Sequence, residues 1–294
     1  MIAADPARDI RERGHAIRFG IVTPQLWRSW DEVLDLWIRA EAAGFDQAYV
    51  IDHVQSDREG DDGPMLEAWS LLAALAREVH RMHIGTFVSG ITHRPPVVLA
   101  KQAVTLDHLS GGRAILGLGA AWNEREHART ASGSRRSASA SAGSRRRSRP
   151  SPHLERERRT TYDGRYLRIA DAPFEPKPVR GHVPILIGST NPRMLRIAAR
   201  WADYVDFPGR SNRVRDLGRQ LSADAAATGR DPDAIRWVVE LRPTASPVEE
   251  FRDRVMALAP LGVSVFLLNV WPRSEPSVVE RLGEQLEHLR RPWS

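Results

Sequence analysis

The pair Asp52-His53 closes a short apolar run, Gln47 to Ile51, and is the first point along the chain where residue types suggest chemistry. An imidazole with an ordinary pKa of about 6.5 suits proton transfer near neutral pH. The plain alternative is a strand-end pair satisfied by backbone groups. Glu67 is a second carboxyl able to move a proton, or it simply favours the start of the helix in which it falls. Gly117, Gly119, Ala120 and Ala121 carry little or no side chain, so the backbone there can lie close to a planar ligand, with Trp122 as a wall. A tight turn beside a core tryptophan is the competing reading. G-L-G-A-A-W is not a dinucleotide fingerprint, because the third glycine is missing. In Gly188-Ser189-Thr190-Asn191-Pro192 the proline suits a first helical turn and Asn191 its cap, which leaves free N–H groups facing an anion such as phosphate. An ordinary helix cap needs no such guest.

The elements that must position these residues alternate along the chain. Ile17 to Thr23 reads as a strand, and Asp31 to Ala43 carries Val33, Leu36 and Trp37 at helical spacing before Gly44 ends it. Gln47 to Ile51 is a second strand, followed by a helix from about Met65 to His80. Met82 to Glu124 is strand, crossover helix and strand, with Pro95 and Pro96 opening the helix and Gly111 and Gly112 closing it. Strands at Pro184 to Ile187, Tyr204 to Phe207, Arg236 to Leu241 and Val263 to Leu268 follow, each with a helical pattern behind it. Eight strands alternating with helices predict an α/β fold, a closed (β/α)₈ TIM-type barrel rather than an open doubly wound sheet. Asp52, His53, the Gly117 turn, Gly188 to Asn191 and Asn269 then converge on one mouth, where strands end.

The 294 residues suffice for a single barrel, taken as residues 17–294 behind an N-terminal extension, residues 1–16. Thr160 to Ile169 interrupts the alternation as a rim hairpin with Asp163-Gly164 as its turn. Arg129 to Pro150 is stranger: seven Arg, many Ser, and no acidic residue, no Val, Ile, Leu or Met, and no aromatic residue. Without it the net charge of +6 becomes −1, so basicity belongs to one segment and gives little reason to expect a nucleic acid. This low-complexity interruption, about 129–153, is either a genuine insertion or a stretch translated out of frame and restored near Leu154; its abrupt edges favour the second. No apolar stretch spans a membrane, and the charged start lacks the apolar centre of a signal peptide, so a cytoplasmic protein is expected. Absent cysteines exclude disulfides and weigh against zinc, and no metal is expected.

VIDH at Val50 to His53, PMLEAW at Pro64 to Trp69, GTFVSGITHRPP at Gly85 to Pro96, TLDHLSGGRAILGLGAAWNEREH at Thr105 to His127, and PILIGSTNPRMLRIAARWAD at Pro184 to Asp203 resemble the luciferase-like monooxygenase superfamily. Within it they are most similar to the oxidoreductases that use the deazaflavin coenzyme F420. The resemblance implies a TIM-type barrel with an insertion, a homodimer, and hydride transfer between F420 and a small organic substrate. It implies that His53 acts beside the ring as general acid/base or orienting donor, with Asp52 positioning it. It also implies that Ser89 and Gly90 meet one face of the ring. His93 and Arg94 would meet the coenzyme's acidic tail or only solvent. Two departures stand out: relatives have more glycine where Ser189, Thr190 and Asn191 stand, and an amphipathic helix where the Arg/Ser tract stands. One rival keeps the fold and uses FMN with oxygen; another binds nucleic acid through the tract; a third is a barrel made inactive by the missing helix.

Overall fold

The computed structural model describes residues 13–56, 62–120, 123–130, 157–164, 168–188, 191–242, 246–272, 274–275 and 277–293. Ten strands occur among them: β1 (Arg18–Thr23), β2 (Gln47–Asp52), β3 (His83–Gly90), β4 (Ala114–Gly119), β5 (Arg159–Asp163), β6 (Arg168–Pro173), β7 (Ile185–Gly188), β8 (Tyr204–Phe207), β9 (Arg236–Leu241) and β10 (Val263–Asn269). Eight are parallel and close a barrel in the order β1, β10, β9, β8, β7, β4, β3, β2, as the alternation predicts. The helices are α1 (Trp30–Ala42), α2 (Ala68–Glu78), α3 (Pro96–Ser110), α4 (Glu124–Thr130), α5 (Pro192–Trp201), α6 (Ser211–Ala226), α7 (Pro247–Leu258) and α8 (Val278–Arg290). Among the described residues no helix is long and apolar enough to cross a membrane.

Local sequence explains where these helices begin and end. Ser29 caps α1 through a reciprocal pair, its Oγ accepting from Glu32 N while Glu32 accepts from Ser29 N. Pro95 and Pro96 open α3, and Gly111, at φ 68°, ends it in the left-handed conformation that glycine adopts without strain. The α2 helix begins at Ala68, three residues later than the apolar pattern suggests, because Glu67 takes the cap position and accepts from Ser70 N at 2.7 Å. Met65 instead bridges to Leu26.

Strand alternation divides the apolar residues into two cores. Outward residues such as Phe19, Val50, Ile84 and Phe266 meet the helices. Inward residues Val22, Tyr49, Ile115, Leu186, Tyr204, Val238, Val265 and Leu267 fill the barrel. Two residues further along the same strands the inward set becomes Ile51, Gly117, Gly188, Asp206, Glu240 and Asn269. That layer lies at the C-terminal ends of the strands and carries the site.

The hairpin forms between β5 and β6, but its turn is not Asp163-Gly164. Asp163 pairs with Arg168 and Tyr162 with Ile169, so Asp163 belongs to the β5 ladder rather than to the turn. Phe174 follows β6 into the core with Lys101 of α3 over its ring at 4.4 Å, and Val179 N donates to Asp107 on the same helix. The excursion is thereby fastened to α3, while β4 pairs directly with β7. Of the Arg129 to Pro150 tract only Arg129 and Thr130 lie among the described residues, at the end of α4.

Candidate active site

A cavity of about 510 Å³ opens at the C-terminal ends of the strands. His53, just past β2, lines it and is held by Glu126 of α4, with Nδ1 to Oε2 at 2.7 Å. The Glu126 side chain is fully buried, and its other oxygen accepts from Val54 N at 2.7 Å. Asn123 aims this carboxylate by capping the helix start, accepting from Glu126 N at 3.1 Å. Burial alone would push the Glu126 carboxyl up. Hydrogen bonds from His53, His93 and the Val54 N–H outweigh it and hold the group well below the usual carboxylate range. An ionised carboxylate only accepts, so Nδ1 of His53 carries the hydrogen, and Nε2 is the nitrogen whose protonation can change.

His93 also lines the cavity, with Nε2 3.5 Å from Glu126 Oε2. Its ring meets those of His53 and His127 edge-on, at centroid distances of 6.1 and 5.3 Å. Among the described residues no carboxylate and imidazole groups are arranged to hold a metal ion.

Asp52 does not position His53. Consecutive strand residues point to opposite faces, and Asp52, 1% exposed, instead binds the Arg94 guanidinium through both oxygens and the Trp69 indole N–H at 3.2 Å. Arg94 also reaches Glu67 at 3.2 Å, so it meets two carboxylates of its own chain rather than standing in solvent. Glu67 serves as the α2 cap and partner of Arg94 and does not line the cavity. Ser89 is buried inside the wall, where its Oγ donates to Thr86 Oγ1 and accepts from Trp69 Nε1. Gly90, Gly119, Ala120 and Gly188 do line the cavity.

Gly117 has a different purpose from the one its position suggests. A Cβ there would lie 1.8 Å from the Thr86 carbonyl oxygen, so the absent side chain makes room for the neighbouring strand. At Gly119 a Cβ would come within 2.5 Å of Val88 Cγ2. The register between β3 and β4 breaks between Gly85 and Ser89, and this irregularity turns Val88 into the mouth, against Gly117, Gly119 and Gly188. Asn191 caps α5, accepting from Arg193 N at 2.9 Å. Ala121, Trp122, Ser189 and Thr190 lie outside the described residues.

Three polar groups on the far wall went unread as a unit in the sequence. Asp206, Glu240 and Asn269 occupy the top inward layer of β8, β9 and β10, and Asn269 Nδ2 donates to Glu240 Oε1. Burial drives the Asp206 carboxyl well above its usual range; the Glu240 charge adds to that, and the Glu240 N–H and Arg242 oppose it. The signal was available: each carboxyl stands two residues beyond an inward core residue, Tyr204 or Val238. Glu126 left a fainter signal, an acidic residue one helical turn after its cap.

A closed parallel barrel with a buried carboxylate–histidine pair in a cavity at the strand ends defines a (β/α)₈-barrel enzyme. The chain belongs to the luciferase-like monooxygenase family, whose model matches residues 13–266. It is 29% identical over 269 residues to an uncharacterized protein of Mycobacterium tuberculosis, covering 84% of this chain and 91% of that one. It is 30% identical over 245 residues to an F420-dependent glucose-6-phosphate dehydrogenase of Mycolicibacterium fortuitum, covering 79% and 70% respectively. The fold matches that of an F420-dependent secondary alcohol dehydrogenase solved with an F420-acetone adduct, at a TM-score of 0.77 and 17% identity over 94% of this chain and 99% of the other.

Proposed function

We propose that this chain is a coenzyme F420-dependent oxidoreductase that moves a hydride between the deazaflavin and a small organic substrate. The observation that carries the reading is His53, held through Nδ1 by buried Glu126 at the edge of the cavity. The F420-dependent relative, at 30% identity, supports the coenzyme. The site also fits the group: 510 Å³ lies within the range of about 300–1,000 Å³ typical of small-molecule sites. One wall, at Gly90, Gly119, Ala120 and Gly188, presents backbone and small residues on which a flat ring can rest. Ile51, Phe87 and Val88 add apolar surface beside it.

When bound, a deazaflavin supplies two-electron hydride chemistry. The chain's task is the proton. Oxidation of an O–H or N–H compound releases one with each hydride, and reduction takes one up; His53 Nε2 is the atom assigned to hold it. Glu126 keeps the ring in one tautomer and stabilises its charged form, as a buried carboxylate does for a catalytic imidazole.

The test is a spectral and fluorescence titration of the purified protein with F420 and with FMN, followed by turnover with each. F420 is expected to bind and to support turnover. Binding and oxygen-dependent turnover with FMN alone would transfer the chain to the monooxygenase chemistry. His53→Ala should lower turnover by roughly 10²- to 10⁴-fold, the range of general acid–base catalysis, and leave coenzyme binding largely intact.

A further inference from the structure

The cavity has two unlike walls. On the β2, β3, β4 and β7 side it offers Ile51, Phe87, Val88 and the glycines, and on the β8, β9 and β10 side it offers Asp206, Glu240 and Asn269. The second wall is incompletely satisfied. Glu240 accepts from Asn269 and from Arg242, whereas Asp206 Oδ1 is buried with no hydrogen-bond partner among the described residues. The Asn269 Oδ1 is likewise buried and unpartnered. A buried polar atom without a partner is costly, and proteins leave few of them. Two such atoms, on β8 and β10 at either side of Glu240 in the lining of a ligand-sized cavity, mark where a ligand's polar group belongs.

We propose that Asp206, backed by Glu240 and Asn269, is the substrate-recognition group of this site, and that it selects an uncharged substrate bearing a hydroxyl or carbonyl. The inference rests on the oxidoreductase reading above and adds the substrate class to it. Three features converge on this class. Asp206 adjoins the small-residue wall proposed for the ring, paired in register with Gly188, so a substrate lying over that wall would be oriented by its oxygen. A carboxyl whose protonated form is favoured both donates and accepts, which suits a hydroxyl and its carbonyl oxidation product alike. The Glu240 charge beside it opposes an anion, so a phosphate or carboxylate on the substrate would meet repulsion, and among the described lining residues of that wall the cation is Arg242, already bound to Glu240. A neutral oxygen group avoids that repulsion.

The test uses matched probes, cyclohexanol and trans-4-hydroxycyclohexanecarboxylate, with binding to the full-length protein measured by saturation-transfer NMR. The wild type should bind cyclohexanol at least about tenfold more tightly than the carboxylate. Asp206→Asn, which keeps a donor and an acceptor, should bind cyclohexanol within about threefold of wild type. Asp206→Leu and Asp206→Ala should each lose about tenfold or more, as expected when a buried hydrogen bond is removed. Thermal unfolding of each variant establishes that it is folded, and with two apolar replacements the comparison survives if one is not. A preference of the wild type for the carboxylate overturns the proposal. So does cyclohexanol binding in both apolar variants that matches wild type, or an Asn variant as impaired as they are. F420 titration of the same proteins is independent of these results: its failure in the wild type removes the coenzyme reading, while cyclohexanol binding unchanged in both apolar variants removes only the substrate class.

Discussion

His53 and Glu126 are 73 residues apart, yet Nδ1 of one lies 2.7 Å from Oε2 of the other. The consequence is testable with a single atom exchanged. Glu126→Gln preserves shape and an accepting oxygen but removes the charge, so the charged imidazole loses its counter-ion and the ring loses its fixed tautomer. Turnover should fall roughly 10²-fold while F420 binding is retained, within the span that general acid–base catalysis supplies. The His53 ring-nitrogen NMR signals should show a changed tautomer ratio. Unchanged turnover with unchanged ring signals would remove Glu126 from the site. The sequence made His53 visible through residue type and placement at a strand end. It hid the partner, because Asp52 is the neighbour along the chain and Glu126 the neighbour in space. Strand alternation already argued against Asp52, since neighbours along a strand point to opposite faces; Asp52 touches the cavity, but its carboxyl is taken by Arg94 and Trp69.

The elements show why glycines in one strand end can serve two ends at once. The eight strands were readable because each is a short apolar run followed by a helical pattern. The irregularity in β3 was not, because it leaves the hydrophobic period of HIGTFVSG unchanged and is visible only in its register with β4. Once it is present, the Thr86 carbonyl and the Val88 side chain fill the space above Gly117 and Gly119, which read in sequence as ligand space. The two assignments predict different outcomes for Gly117→Ala. A methyl pressed 1.8 Å from a backbone oxygen forces strands apart, and such overpacking costs about 1–3 kcal/mol or more. At about 2–4 °C per kcal/mol, Tm should drop by several degrees to about ten. If Gly117 instead made room for coenzyme, the variant would keep its Tm and lose F420 affinity, so one thermal scan and one titration separate the cases.

Across the whole molecule the parallel strands sort charge by end. Arg18 and Arg236 begin β1 and β9, Arg113 immediately precedes β4, and His83 begins β3; Asp52, Asp206 and Glu240 stand at or near the opposite ends of their strands. Strand direction, once known, makes this polarity readable in sequence, but its effect on titration needs burial as well. His83 is pushed down to about 4, by burial first and then by Arg18, Arg180 and Arg113, against the weaker pull of Asp46. His15 is likewise lowered to about 4, by burial first and then by Arg236 and Arg13. In the unfolded chain both titrate near their ordinary value of about 6.5, so as pH falls below that value the unfolded state takes up protons first. The stability from keeping these rings neutral is therefore complete above about pH 6.5, declines as pH falls towards about 4, and changes no further below it. For His83 the loss is at most about 3 kcal/mol, and for the more open His15 it is less. Glu126 acts over a lower range, since its depressed carboxyl stabilises the fold above the ordinary carboxylate pKa of about 4.3 and loses that contribution only as pH falls further. Denaturant midpoints at pH 7.5, 6, 5 and 4 should thus decline in the wild type and decline less in His83→Gln, with the two curves converging towards acid. A wild-type midpoint that stays level from pH 7.5 to 4 would mean that the basic end of the barrel leaves these rings as easily protonated as in the open chain.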